Sequence, residues 1–128
     1  MVAGIGCRSG VSAEEVESAL AAALAPIAPA KRTLSAIATP AAKGHEPGIV
    51  AAAAARGVPL VLIAQPDLET ADARTLTQSR HAMAVMSVHS VAEAAALAAA
   101  GPTARLLGPR IAIGPVTCAL AHPQADKE

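Results

Sequence analysis

Met1-Val2-Ala3-Gly4-Ile5-Gly6-Cys7-Arg8-Ser9-Gly10-Val11-Ser12 opens the chain, and its reading decides the fold. Met1–Ile5 is a short apolar run of strand character, and Gly4, Gly6 and Gly10 allow a tight turn after it. Ser12 and Glu15, three residues apart, form the capping-box pattern, so a helix starts there. A strand–glycine loop–helix unit leaves amide N–H groups unpaired at the helix start, and such an end attracts anions. Cys7 and Arg8 fall in this turn, where side chains face a ligand rather than a core.

Outward from this unit, strands and helices alternate. Val16, Leu20, Leu24 and Ile27 recur at helical spacing, until Pro26 and Pro29 stop the helix. Leu34–Ala38 reads as a second strand and Pro40 to Gly44 as a loop. Glu46-Pro47-Gly48 begins a helix that ends at Gly57, a C′ glycine. Val58–Ile63 is the strongest strand signal, with Pro59 tolerated near its start. Asp67 is a candidate cap for a short helix, and Thr77–Val85 fits helix or strand equally. Ser90-Val91-Ala92-Glu93 repeats the capping box, and its helix runs to Gly101-Pro102. Ala104–Leu107 and Ile111–Leu120 read as strands of an antiparallel hairpin turning at Gly108-Pro109, with a bulge or break at Gly114-Pro115.

This order predicts an α/β fold: a single-domain three-layer α/β/α sandwich with a mixed, mostly parallel sheet and a C-terminal β-hairpin. The domain is expected over 1–121, with 122–128 as a flexible tail. In such a sheet ligands bind beyond the carboxyl ends of the parallel strands. The loops Gly6–Ser12, Thr39–Glu46 and Ala64–Asp67 are expected on that edge.

Composition narrows the chemistry. The 128 residues carry ten acidic and ten basic side chains, so neither nucleic acid nor a membrane is the expected partner. No basic segment precedes the first strand, and Val91–Ala100 is too short to span a bilayer, which suits a cytoplasmic protein. Cys7 and Cys118 are the only cysteines and read as reduced thiols. There is no Phe, Tyr or Trp, so a flat ligand must be held by aliphatic contacts, amides and charges. His45, His81, His89 and His122 show no metal-ligand spacing, so no metal and no cofactor is expected. Gly4-x-Gly6-x-x-x-Gly10 misses the dinucleotide fingerprint by one residue.

On the predicted edge, Arg8 and Lys43 are two cations suited to carboxylate or phosphate. Each also reads as a solvated surface charge. Glu46 is a candidate base or ligand contact, and equally an acid complementing a helix dipole. Cys7 is a candidate nucleophile or a small buried filler. Ser90 and Glu93 are explained by capping, although a helix start can also face the crevice.

Four blocks carry a family resemblance. Gly4 to Glu15 resembles the opening of the CobE-type proteins of cobalamin biosynthesis, a family shared with the C-terminal domain of CbiG. Lys43-Gly44-His45-Glu46-Pro47-Gly48 is similar to the family's K-x-x-E-P-G. Ser90-Val91-Ala92-Glu93-Ala94-Ala95-Ala96-Leu97 is similar to its S-V-x-E-A-A-A-L, and Thr117-Cys118-Ala119-Leu120-Ala121 to its closing T-x-A-x-A. Two departures stand out. Gly108-Pro109-Arg110 replaces a V-P-K, and Thr39-Pro40-Ala41-Ala42 lacks an aspartate that is common there. The resemblance implies a corrinoid or precorrin ligand, with other cobalamin-pathway enzymes as further partners. The ligand-binding candidates are then Gly6, Cys7, Arg8, Lys43, Glu46, Ser90, Arg110 and Thr117. Binding, carrying or stabilising a corrin-ring intermediate of the aerobic pathway is the first expectation. A CbiG-like hydrolase that opens a lactone, with Glu46 or Cys7 assisting, and a non-catalytic docking partner are the alternatives.

Overall fold

The computed structural model of the chain describes residues 1–79, 83 and 88–123. Its strands are β1 (Val2–Cys7), β2 (Ala36–Pro40), β3 (Leu60–Ile63), β4 (Arg105–Leu106), β5 (Ile111–Ile113) and β6 (Val116–His122). Among the described residues, the helices of seven residues or more are α1 (Ala13–Leu24), α2 (Pro47–Arg56), α3 (Gln65–Ala71) and α4 (Val91–Ala100). The sheet order is β3-β2-β1-β6-β4, with β5 also paired to β6.

β1, β2 and β3 are parallel, as a strand–helix–strand alternation requires. β6 runs antiparallel to all of β1, and β4 and β5 are antiparallel to β6. The sheet is mixed, as expected, but its parallel part is confined to β3, β2 and β1. The expected hairpin is corrected. Ile111 pairs with Cys118 and Ile113 with Val116, so the hairpin joins β5 to β6 and turns at Gly114-Pro115. Gly114 has φ +58°, the left-handed conformation such a turn needs. Gly108-Pro109 only links β4 to β5, which lie end to end against β6.

Two apolar layers sandwich the sheet. Ala3, Ile5, Ile37, Val116, Cys118 and Leu120 face α1 and α2, through Val16, Leu20, Ile49 and Ala52. Val2, Ala38, Ile63 and Ala121 face α3 and α4, through Leu68, Ala94, Ala95 and Leu97. With no aromatic residue available, the alanines of α4 fill this second layer by close approach. A Cβ on Gly4 would overlap the Ala92 carbonyl oxygen and lie 2.6 Å from Ala96 N. Glycine in the central strand therefore sets how near α4 can lie.

Local signals explain the helix ends. Ser12 Oγ accepts from Glu15 N–H at 3.0 Å, and Glu15 Oε1 accepts from Ser12 N–H at 2.9 Å, so the first capping box is complete. α2 stops at Gly57, with φ +69°. α3 starts with Ala64 at its cap, and the Asp67 side chain makes no cap bond, contrary to expectation. The stretch 77–85 lies mostly outside the described residues. β6 reaches His122, and residues 124–128 also lie outside them.

Candidate functional site

The carboxyl ends of β1 and β2 meet at one sheet edge, and the loops that follow them are tied together. Gly10 N–H donates to Glu46 Oε1 at 2.9 Å, and Lys43 Nζ donates to Ser9 Oγ at 3.3 Å. Gly48 lets the start of α2 press on the first loop, because a Cβ there would lie 2.8 Å from the Ser12 carbonyl carbon. Arg8 N–H donates to Pro115 O at 3.2 Å, which joins the β5–β6 turn to the same edge.

β1 divides the expected residues between its two faces, because side chains alternate along a strand. Cys7, the last residue of β1 rather than part of the turn, packs half-buried against the α1–α2 layer. Burial pushes its thiol up; the Lys43 charge pulls it down, and the Glu46 charge pushes it up. Cys7, Lys43 and Glu46 are thus brought together, with Cys7 held as a thiol. Gly6 faces the other way. A Cβ on it would sit 2.7 Å from Thr117 Oγ1 and 3.5 Å from Val91 Cβ. Thr117 Oγ1 donates to Gly6 O at 3.3 Å. Ser90, the residue before Val91, is fully buried, and its hydroxyl accepts from Glu93 N–H at 3.4 Å. Arg8, which follows β1, is exposed, and Arg110, just before β5, is half-buried.

The loop amides are less available than the sequence suggested. Gly10 N–H is taken by Glu46, Arg8 N–H by Pro115, and Ser12 N–H by Glu15. Glu46 itself fills the anion position of the glycine loop. The charges left for a ligand are those of Arg8 and Lys43.

Two features escape sequence reading. Glu93 does not return a bond to Ser90. Its buried carboxylate accepts from Leu76 N–H (2.7 Å), Thr77 N–H (2.9 Å), Thr77 Oγ1 (2.6 Å) and Arg110 N–H (2.7 Å). The second is a pair between Asp72 and His89. His89 N–H donates to Asp72 Oδ1 at 2.7 Å, and the ring Nδ1 lies 3.0 and 2.9 Å from Oδ1 and Oδ2. Partners 17 residues apart outside any repeat leave no signal in the sequence.

An open concavity of about 650 Å³, lined by Arg74, Leu76, Leu97, Pro102 and Leu106 among others, lies elsewhere, at the C-terminal end of α4. The Arg74 guanidinium in its wall already donates to Gly101 O and Ala104 O. The strand-end edge remains the better candidate, because there a loop cluster presents charge that is not spent on a helix end.

The model of the cobalamin synthesis G C-terminus family matches residues 1–121. Protein CobE of Sinorhizobium sp. is 37% identical over 123 residues, which cover 96% of this chain and 80% of that protein. The crystal structure of CobE, a protein from the cobalamin (vitamin B12) biosynthetic pathway, superposes with a TM-score of 0.88 at 34% identity, covering 98% of this chain and 92% of that one. The cobalamin biosynthesis protein chiG of Agrobacterium tumefaciens str. C58 gives 0.75 at 36% identity, covering 97% of this chain and 98% of that one. The chain belongs to the cobalamin synthesis G C-terminus family and is a cobalamin biosynthesis protein of the CobE type.

Proposed function

We propose that the protein binds and carries a corrin-ring intermediate in the cytoplasm, and that it does so on the edge formed by the β1 and β2 loops. Arg8 and Lys43 contact the carboxylates that line such a ring, and Gly6 and Thr117 border the ligand on the α4 side. The observation that carries this reading is the double tie of Glu46 to Gly10 and Lys43 to Ser9, which fixes a cation beside Arg8 without burying it. Fixed donors lose less entropy on binding. A carrier is favoured over a hydrolase because Cys7 is held as a thiol and one Glu46 oxygen is committed to Gly10. No helix among the described residues is long and apolar enough to cross a membrane.

Visible-absorbance titration with hydrogenobyrinic acid, followed by desalting, tests the proposal. The chain has no Trp or Tyr, so any coloured band eluting with it comes from the ligand. Retention of intact pigment is expected, with roughly tenfold weaker binding in Lys43→Ala, equivalent to about 1.4 kcal/mol. Conversion to a new spectrum would establish the hydrolase instead. Absence of both, with pathway enzymes co-purifying, would establish the docking partner.

A further inference from the structure

We propose that His89 supplies an axial ligand to the metal of a metallated corrinoid, with Asp72 as the residue that positions it. The inference rests on the carrier reading above and adds which form of the ring is bound.

The imidazole is over-determined on one side only. Asp72 accepts both the His89 backbone N–H and its Nδ1–H, and His89 O accepts from Ser79 N–H at 3.0 Å. A carboxylate at Nδ1 fixes the tautomer in which Nδ1 carries the proton and Nε2 carries the lone pair. Nε2 has no partner among the described residues, and 30% of the side chain is exposed, against 21% for Asp72. A histidine that gives its other N–H to a carboxylate is the usual arrangement at a metal.

The surroundings select the kind of metal. Among the described residues no group of three or more His, Cys, Asp and Glu side chains could hold an ion. A free cation needs several protein ligands, so one imidazole does not make a site for it. A metal that brings four equatorial nitrogens in its own macrocycle needs only an axial donor. His89 immediately precedes Ser90, the cap of α4, and Val91 borders Gly6. The His89 backbone therefore lies at the start of α4, the end of that helix that borders Gly6. Without an Asp72 carboxylate, the ring would be free to turn and its tautomer would not be set.

The test uses the full chain with Co(II) cobyrinic acid and with metal-free hydrogenobyrinic acid. Electron paramagnetic resonance of the bound Co(II) form is expected to show splitting by one nitrogen, three lines that become two when histidine is labelled with 15N. His89→Gln should abolish the splitting, while His45→Gln keeps it. Asp72→Asn should weaken binding of the cobalt form roughly tenfold and leave the metal-free form unchanged. A purely structural pair would lower the melting temperature of both variants and move neither readout. Binding of both corrins with no nitrogen splitting, or with splitting that survives in His89→Gln, overturns the axial ligand and leaves the carrier standing. If neither corrin binds, the carrier fails and the ligand assignment fails with it.

Discussion

Replacing Glu93 by glutamine should destabilise the protein far more than a change of one atom type suggests. Both carboxylate oxygens are acceptors: Oε1 receives Leu76 and Thr77 N–H, and Oε2 receives Thr77 Oγ1 and Arg110 N–H. An amide fits only half of this arrangement. With its oxygen in the Oε1 place, its NH₂ meets the Arg110 N–H donor to donor, whereas the Thr77 hydroxyl can turn and accept. One hydrogen bond to a charged acceptor is lost, about 1.5–3 kcal/mol, and an unpaired buried N–H costs about 1–3 kcal/mol. Removing a buried charge offsets part of the sum. A net loss of about 2–4 kcal/mol is expected, from a domain whose total is on the order of 5–15 kcal/mol. At roughly 4 °C per kcal/mol for a chain of this size, the melting temperature should drop by about 8–16 °C. Urea unfolding followed by far-ultraviolet circular dichroism suits a chain without Trp or Tyr. Glu15→Gln, at the exposed first capping box, is the control and should cost about 1 kcal/mol or less. A Glu93→Gln loss below about 0.5 kcal/mol would refute the claim that this carboxylate clasps the loops to α4.

Other consequences can be measured on the same material. Gly4→Ala should cost about 3 kcal/mol or more, since α4 must lift off β1 to admit the methyl group; near-wild-type melting would show that α4 shifts freely. Gly57→Ala should cost about 1–2 kcal/mol, because its φ of +69° disfavours a side chain, and an unchanged urea midpoint would contradict this. Cys7 should label more slowly than a free thiol. Lys43→Gln should slow it further and Glu46→Gln speed it, since Lys43 lowers and Glu46 raises the thiol pKa; the opposite order would refute the cluster. Cys118 is pushed up to about 12 by burial, from 9.0. The folded state therefore holds a proton that the unfolded chain releases, and stability should decline from about pH 9 towards 12. In Cys118→Ala that part of the alkaline loss should disappear from urea midpoints taken across this range.

What the sequence makes legible depends on distance along the chain. The α1 capping box and the glycine stop of α2 are local and present as read, and the strand–loop–helix opening is present with its strand extended two residues, to Cys7. Two Gly-Pro pairs, at 108 and 114, offer the same local turn signal. Which one reverses the chain is decided far away, where β6 must pair with all of β1 and leave its other side to β4 and β5 in succession. Ser90-x-x-Glu93 shows the opposite failure: the pattern is local, but the carboxylate is recruited by donors 16 and 17 residues away.

The candidate site divides along the same line. Lys43 and Glu46 follow a parallel strand next to β1, so topology alone places them beside Cys7. The α4 side is different, because part of it comes from the antiparallel β6, which puts Thr117 opposite Gly6 across 111 residues of sequence. That same strand lies under α4 and helps seat its start beside Gly6, with His89 just before it. Nothing local in the sequence pairs β6 with β1, so the capping pattern at Ser90 marks a helix start without saying which strand it faces.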